Sequence, residues 1–140
     1  MTHSYYTDTE VEYAFYKFAC EFQSETGLDV LEDFLGDPLY QSGINILHDL
    51  GATAFPADHG DQANLKIGRD RLKLMDSQLG VCRIAWILGN AADFAIAHRW
   101  TVSTRRTGHV KRNQFRDIGH ARTWLGIPED YVIQYPEDAA

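Results

Sequence analysis

Phe115-Arg116-Asp117-Ile118-Gly119-His120-Ala121-Arg122-Thr123-Trp124-Leu125-Gly126-Ile127-Pro128 is the most informative stretch of the chain. Phe115 closes a strand, and Asp117 is a helix-capping residue type in the capping place. Ala121, Trp124 and Leu125 share one short helix face, Gly126 stops the helix and Pro128 takes the chain away from it. That order is the last βα unit of a compact α/β domain, and it carries no chemistry of its own.

Working upstream, Val110 to Phe115 reads as a weaker strand and Thr104 to His109 as a polar loop. Ala91 to about Val102 is helical, with Phe94, Ala97 and Thr101 on one face, after a Gly89-Asn90 break. Val81 to Leu88 is nearly all apolar and short, which suits a central strand. From about Asp61 to Leu79 the residues Leu65, Leu72, Met75 and Leu79 recur at helical steps. Gly68 inside that helix costs about 1 kcal/mol relative to alanine. A loop from Gly51 to Gly60, with Pro56, follows a strand at Ile44 to Leu50.

The N-terminal part is strand-forming. Ser4-Tyr5-Tyr6 and Val11 to Cys20 flank Asp8-Thr9-Glu10, a tight turn, so a hairpin is expected. Val11, Tyr13 and Phe15 alternate with Ala14, Tyr16, Phe18 and Cys20, so both strand faces are apolar and both are expected to be covered. Thr26 is placed to cap a helix carrying Leu28, Leu31, Phe34 and Leu35, with Asp29 in its first turn and Gly36-Asp37-Pro38 at its end. The order ββαβαβαβα predicts one α/β domain with a mixed central sheet packed with helices. Its core spans about residues 4–127, and 128–140 form a C-terminal extension. Tyr131, Val132, Ile133 and Tyr135 in that extension could add a strand to a sheet edge.

The 140 residues, 44% hydrophobic, suffice for one sizeable core. No run approaches the roughly 18–20 apolar residues of a membrane span, and Met1-Thr2-His3-Ser4 does not open a secretory signal. Cys20 and Cys82 each sit in an apolar run, as buried reduced thiols of a cytosolic protein do. The net charge of −7 conceals an uneven distribution: residues 1–60 carry 11 acidic groups against Lys17 alone, whereas 12 of the 13 lysines and arginines fall between 61 and 122. The two parts can cancel by interleaving in the fold, or leave a basic face for an anionic partner.

Three stretches together resemble the SpoIIAA-like family, whose domains share the STAS fold. They are Asp37-Pro38-x-Tyr40-x-x-Gly43 leading into Ile46-Leu47-x-Asp49-Leu50, Ile84-Ala85-Trp86-Ile87 before Asp93-Phe94-Ala95, and the closing Phe115-Arg116-Asp117 to Trp124-Leu125-Gly126. The resemblance spans about residues 4–130. It implies a STAS-type fold and, by analogy with anti-sigma-factor antagonists, a partner-switching site at the start of the helix after the third strand. Those proteins carry Asp-Leu, a later Phe and then Asp-Ser-Ser-Gly; here Asp49-Leu50, Phe55 and Ala57-Asp58-His59-Gly60 stand in those places. Both serines are absent, so a serine phosphoswitch is not expected. Other members of the group resemble lipid-exchange (CRAL-TRIO) domains, which implies a hydrophobic ligand under movable helices and association with membranes.

The residues offer two sets of candidate positions. His48, Asp49, Asp58 and His59 flank the loop after the third strand, where clefts of open α/β sheets form and where a small polar or anionic ligand could sit. Capping and loop hydrogen bonds would explain the same four residues. Leu72, Met75, Phe94 and Trp100 would line a cavity between helices and sheet if the domain holds a hydrophobic guest. Lys66, Arg69, Arg71 and Lys73 stud the second helix, in a pattern suited either to anionic lipid or to an ordinary solvated face, and Asp70 and Asp76 dilute them, which favours the ordinary face. Arg99, Arg105, Arg106, Lys111, Arg112 and Arg116 make a second basic run around Trp100. The acidic whole speaks against nucleic acid there, and docking of the acidic part of a second copy fits better.

No spacing of the six histidines and two cysteines suits a metal site, and no phosphate loop or nucleophile elbow is present. Neither enzyme activity nor a cofactor is expected. The first functional expectation is a non-catalytic interaction module that binds a protein partner or a second copy of itself. The second is a carrier or sensor of a hydrophobic small molecule or lipid, able to meet an anionic membrane surface.

Overall fold

The computed structural model describes residues 2–21, 26–104 and 109–136. The elements are β1 (Thr2–Asp8), β2 (Tyr13–Glu21), α1 (Thr26–Leu35), β3 (Asn45–Ala54), α2 (Gln62–Leu79), β4 (Cys82–Leu88), α3 (Ala91–Ser103), β5 (Val110–Phe115) and α4 (Ile118–Leu125). This is the expected order. The strands lie in the sheet as they do in the chain, β1-β2-β3-β4-β5. β1 runs antiparallel to β2, and every later neighbour is parallel.

Each parallel step moves the same way across the sheet, so crossovers of one hand put α1, α2 and α3 on one face. α4 follows the last strand and takes the other. Period-two alternation then sorts the side chains. Ala14, Tyr16, Phe18, Ile46, Leu50, Ile84 and Leu88 pack under α1–α3, with Leu31, Phe34, Leu72, Leu79 and Trp100 of the helices. Phe15, Leu47, Ala85 and Ile87 pack under α4, with Ala121 and Leu125. The double-faced apolar pattern of β2 is thus explained, since both of its faces are buried.

Boundaries differ from the sequence pattern where backbone pairing overrides it. Glu12 adopts φ 63 and its amide donates to the Asp8 carbonyl at 2.9 Å, so the turn extends through residue 12 and β2 starts at Tyr13 rather than Val11. β3 runs on to Ala54, into the expected loop, because the long β2 offers Ala19, Cys20 and Glu21 as partners for Ala52, Thr53 and Ala54. Thr26 is the first helical residue of α1 rather than a residue before it. Val81 stays exposed outside β4. At α4 the expected grammar is present: Asp117 accepts from the His120 amide at 2.9 Å, and Gly126 takes a left-handed φ of 77. The Gly126 and Ile127 amides then close on the Thr123 and Arg122 carbonyls.

Among the described residues the C-terminal segment does not extend a sheet edge. Residues 131–135 lie outside the strands and cover the α4 face beside β1 and β2. Tyr131 stacks on Phe15 with centroids 5.5 Å apart and donates its hydroxyl to Asp8 at 2.9 Å; Tyr135 donates to the Tyr16 carbonyl at 3.2 Å. Its apolar side chains thus cover a sheet face that α4, only two turns long, leaves open. Cys82 is buried and free, and burial pushes its thiol up to about 11, so it is chemically quiet. The side chain of Cys20 lies outside the described residues.

Candidate functional site

Alternation on β3 decides which loop-site residues meet. His48 and Leu50 turn to the helix face, whereas Asp49 turns away and accepts from the Gly51 amide at 2.9 Å. Ile84 and Trp86 continue that helix-facing row on β4, and Arg112 does so on β5. Above them stand Leu28 and Leu31 of α1, Leu72 of α2, and Ala97 and Trp100 of α3. Phe55 and His59, from the segment joining β3 to α2, close the end. Between these walls lies a cavity of about 70 Å³.

The segment at its end is pinned from α3. Asn90 caps α3 by accepting from the Asp93 amide at 2.8 Å, and the buried Asp93 carboxylate accepts from the Phe55 amide at 3.0 Å. Phe55 then meets the His59 ring at 4.3 Å, and His59 stacks on Trp100 at 5.2 Å and 21°. The Trp100 indole N–H donates to the His59 carbonyl at 3.4 Å. The indole lies directly on α2 at Gly68, where an added Cβ would come within 1.8 Å of the ring. Gly68 is therefore a seat for Trp100, and the local helix penalty is offset by that close packing.

Two polar features are set into the apolar walls. Arg112 Nη2 and Nη1 donate to the two oxygens of Asp76 at 2.6 and 3.2 Å, with side chains 1% and 4% exposed. His48 is 6% exposed, and its Nε2 has no hydrogen-bond partner among the described residues. Burial, reinforced by the nearby Arg112 charge, brings the His48 pKa down to about 3. Burial likewise lowers His59 to about 4, against the pull of Asp58 and Asp93. Both rings are neutral near pH 7.

The structure thus joins parts of two sets of positions that the sequence kept separate. His48, His59, Leu72 and Trp100 all line this cavity. Met75 belongs to the core beside it and to a groove between α1 and α2; Phe94 packs half-buried against the core, and Asp58 is exposed. The expected helix-capping place is held by Asp61, three residues after Asp58. At the position of the missing phosphoacceptor, His59 is a buried wall ring.

The second basic run is also corrected. Arg112 is in the core rather than on a surface, and Trp100 is buried with it. Arg105 and Arg106 lie outside the described residues. On α2, Arg71 is drawn to the acidic α1, reaching Asp29 at 3.0 Å and Glu32 at 2.9 Å, so there the acidic and basic parts of the chain do interleave. Asp76 and Arg112 were legible in principle. Asp76 comes four residues after Leu72 and three before Leu79, on the buried face, and Arg112 is two residues from the buried Val110. Among the described residues no group of three or more His, Cys, Asp or Glu is placed to hold a metal ion, and no helix is long and apolar enough to cross a membrane.

The same architecture is found in a solved structure, that of an uncharacterized protein from the DUF3478 family with a SpoIIAA-like fold from Shewanella loihica PV-4. The two are 18% identical, align over 89% of this chain and 96% of that one, and superpose with a TM-score of 0.52. No protein-family model matches the chain, and no curated protein does. The chain therefore has the SpoIIAA-like fold, here with a small aromatic-walled cavity between its three-helix layer and its sheet.

Proposed function

We propose that this domain is non-catalytic and that it carries or senses a small, largely apolar molecule held between α1–α3 and the sheet. The observation that supports this reading is the gap itself, lined by His48, whose buried Nε2 lacks a partner among the described residues. A buried polar group is ordinarily satisfied, and apolar walls with few polar groups are the usual make-up of a small-molecule site.

Ala97 gives a test, because it lines the cavity with a side chain that can be enlarged. Ala97→Leu is expected to keep its circular dichroism and a cooperative melt while losing the binding of phenol, used as a neutral probe. Chemical-shift titration of both proteins checks this. A folded Ala97→Leu that binds phenol as the parent does would show that the probe sits elsewhere and would contradict the assignment.

A further inference from the structure

We infer that the guest of this cavity is an uncharged, largely apolar molecule bearing a single hydrogen-bonding group, a hydroxyl above all, which meets His48 Nε2. The inference rests on the carrier reading above and adds the chemical class of the guest. Three observations carry it.

The first is the charge balance of the walls. Among the described residues Arg112 is the cation at the cavity, and Asp76 already holds it through two hydrogen bonds with both side chains almost wholly buried. A guest carboxylate would lose its hydration where no net positive charge compensates it, and drawing Arg112 towards it would strip Asp76 of its partner. A guest cation would face Arg112. An uncharged guest meets neither obstacle.

The second is His48. It is neutral, its ring lines the gap, and its Nε2 has no partner among the described residues. A hydroxyl can donate and accept, so it satisfies that nitrogen in either tautomer of the ring. A purely apolar guest would leave the nitrogen unsatisfied.

The third is shape. Trp100, His59 and Phe55 form a nearly continuous aromatic wall, with the His59–Trp100 planes only 21° apart, which suits a planar ring lying against it. The volume of about 70 Å³ exceeds the roughly 10–15 Å³ that one water needs and is about half of the roughly 150 Å³ that admits benzene elsewhere. A one-ring guest therefore enters with an outward shift of α1, since the Trp100 ring is seated against Gly68.

The three tryptophans supply the readout. Trp86 and Trp100 line the cavity, and Trp124 packs on the opposite face of the sheet. Indole N–H resonances of the unaltered, full-length protein would be followed while phenol, toluene and benzoate are titrated separately. Phenol is expected to shift Trp86 and Trp100 saturably and leave Trp124 in place. It should bind about tenfold more tightly than toluene, which cannot satisfy His48, and at least about tenfold more tightly than benzoate. Benzoate binding as tightly as phenol would overturn the inference while leaving the cavity a binding site. Toluene equalling phenol would remove the role of His48 and overturn it too. If no guest moves Trp86 or Trp100, the carrier reading itself fails, and the inference with it.

Discussion

Replacing Asp76 by asparagine is expected to remove about 3–5 kcal/mol of folding stability, because it strands the Arg112 guanidinium in the core without its counter-charge. For a domain of this size the whole of the stability is about 5–15 kcal/mol, so the variant would be largely unfolded or marginal at room temperature. The pair itself is a different matter. Desolvating both ions offsets most of their attraction, so the double variant Asp76→Leu with Arg112→Met is expected to recover most of the loss. Urea unfolding midpoints of the parent, both single variants and the double variant would check this. Equal losses in single and double variants would mean that the pair contributes net stability, contrary to the account. An unchanged midpoint in Asp76→Asn would mean that Arg112 is not buried as described.

Acid is expected to weaken the fold well before its carboxylates protonate. In the folded state His48 and His59 stay neutral down to about pH 3 and 4, whereas in the unfolded chain a histidine takes up its proton near pH 6.5. Below that pH the unfolded state binds more protons, so stability must fall as pH falls. It is fully present above about pH 6.5 and declines below it, down to about pH 4 for His59 and about pH 3 for His48. Two such groups over about 1.5 pH units correspond to a loss of up to about 4 kcal/mol between pH 6.5 and pH 5. His59→Phe retains a flat ring beside Trp100 and removes one titrating site, so it should roughly halve the slope. Thermal or urea unfolding as a function of pH measures both. A stability that stays level from pH 7 to pH 5 would show that the two rings are not held neutral in the core.

The sequence disclosed architecture more readily than it disclosed the site, for a physical reason. Caps, glycine stops and strand alternation are local, so the α4 grammar, the hairpin and the two-faced β2 could be recognised from neighbouring residues. The cavity is assembled from seven different parts of the chain, and its polar members were ambiguous one by one. Asp76 counted as one of the acids diluting a basic helix, and Arg112 as part of a basic run, because charge runs take no account of the face a residue occupies. Their positions four residues from Leu72 and two from Val110 held the missing information. His48 and Asp49 illustrate the converse: adjacent in sequence, they separate to opposite faces of the sheet. Gly68 registers as a weak point in a helix until Trp100 is seen resting on it. The C-terminal tyrosines suggested a strand because their apolar pattern is that of a strand, yet a sheet face left bare by a short α4 offers more buried area than an edge does.

The cavity as a place for a guest is the central claim, and native mass spectrometry of freshly purified protein tests it most directly. The account predicts a folded species carrying one defined extra mass, lost on denaturation and absent from Ala97→Leu, with the released compound uncharged and largely apolar. A folded parent protein found only at its sequence mass, and unchanged in mass after exposure to phenol, would contradict it.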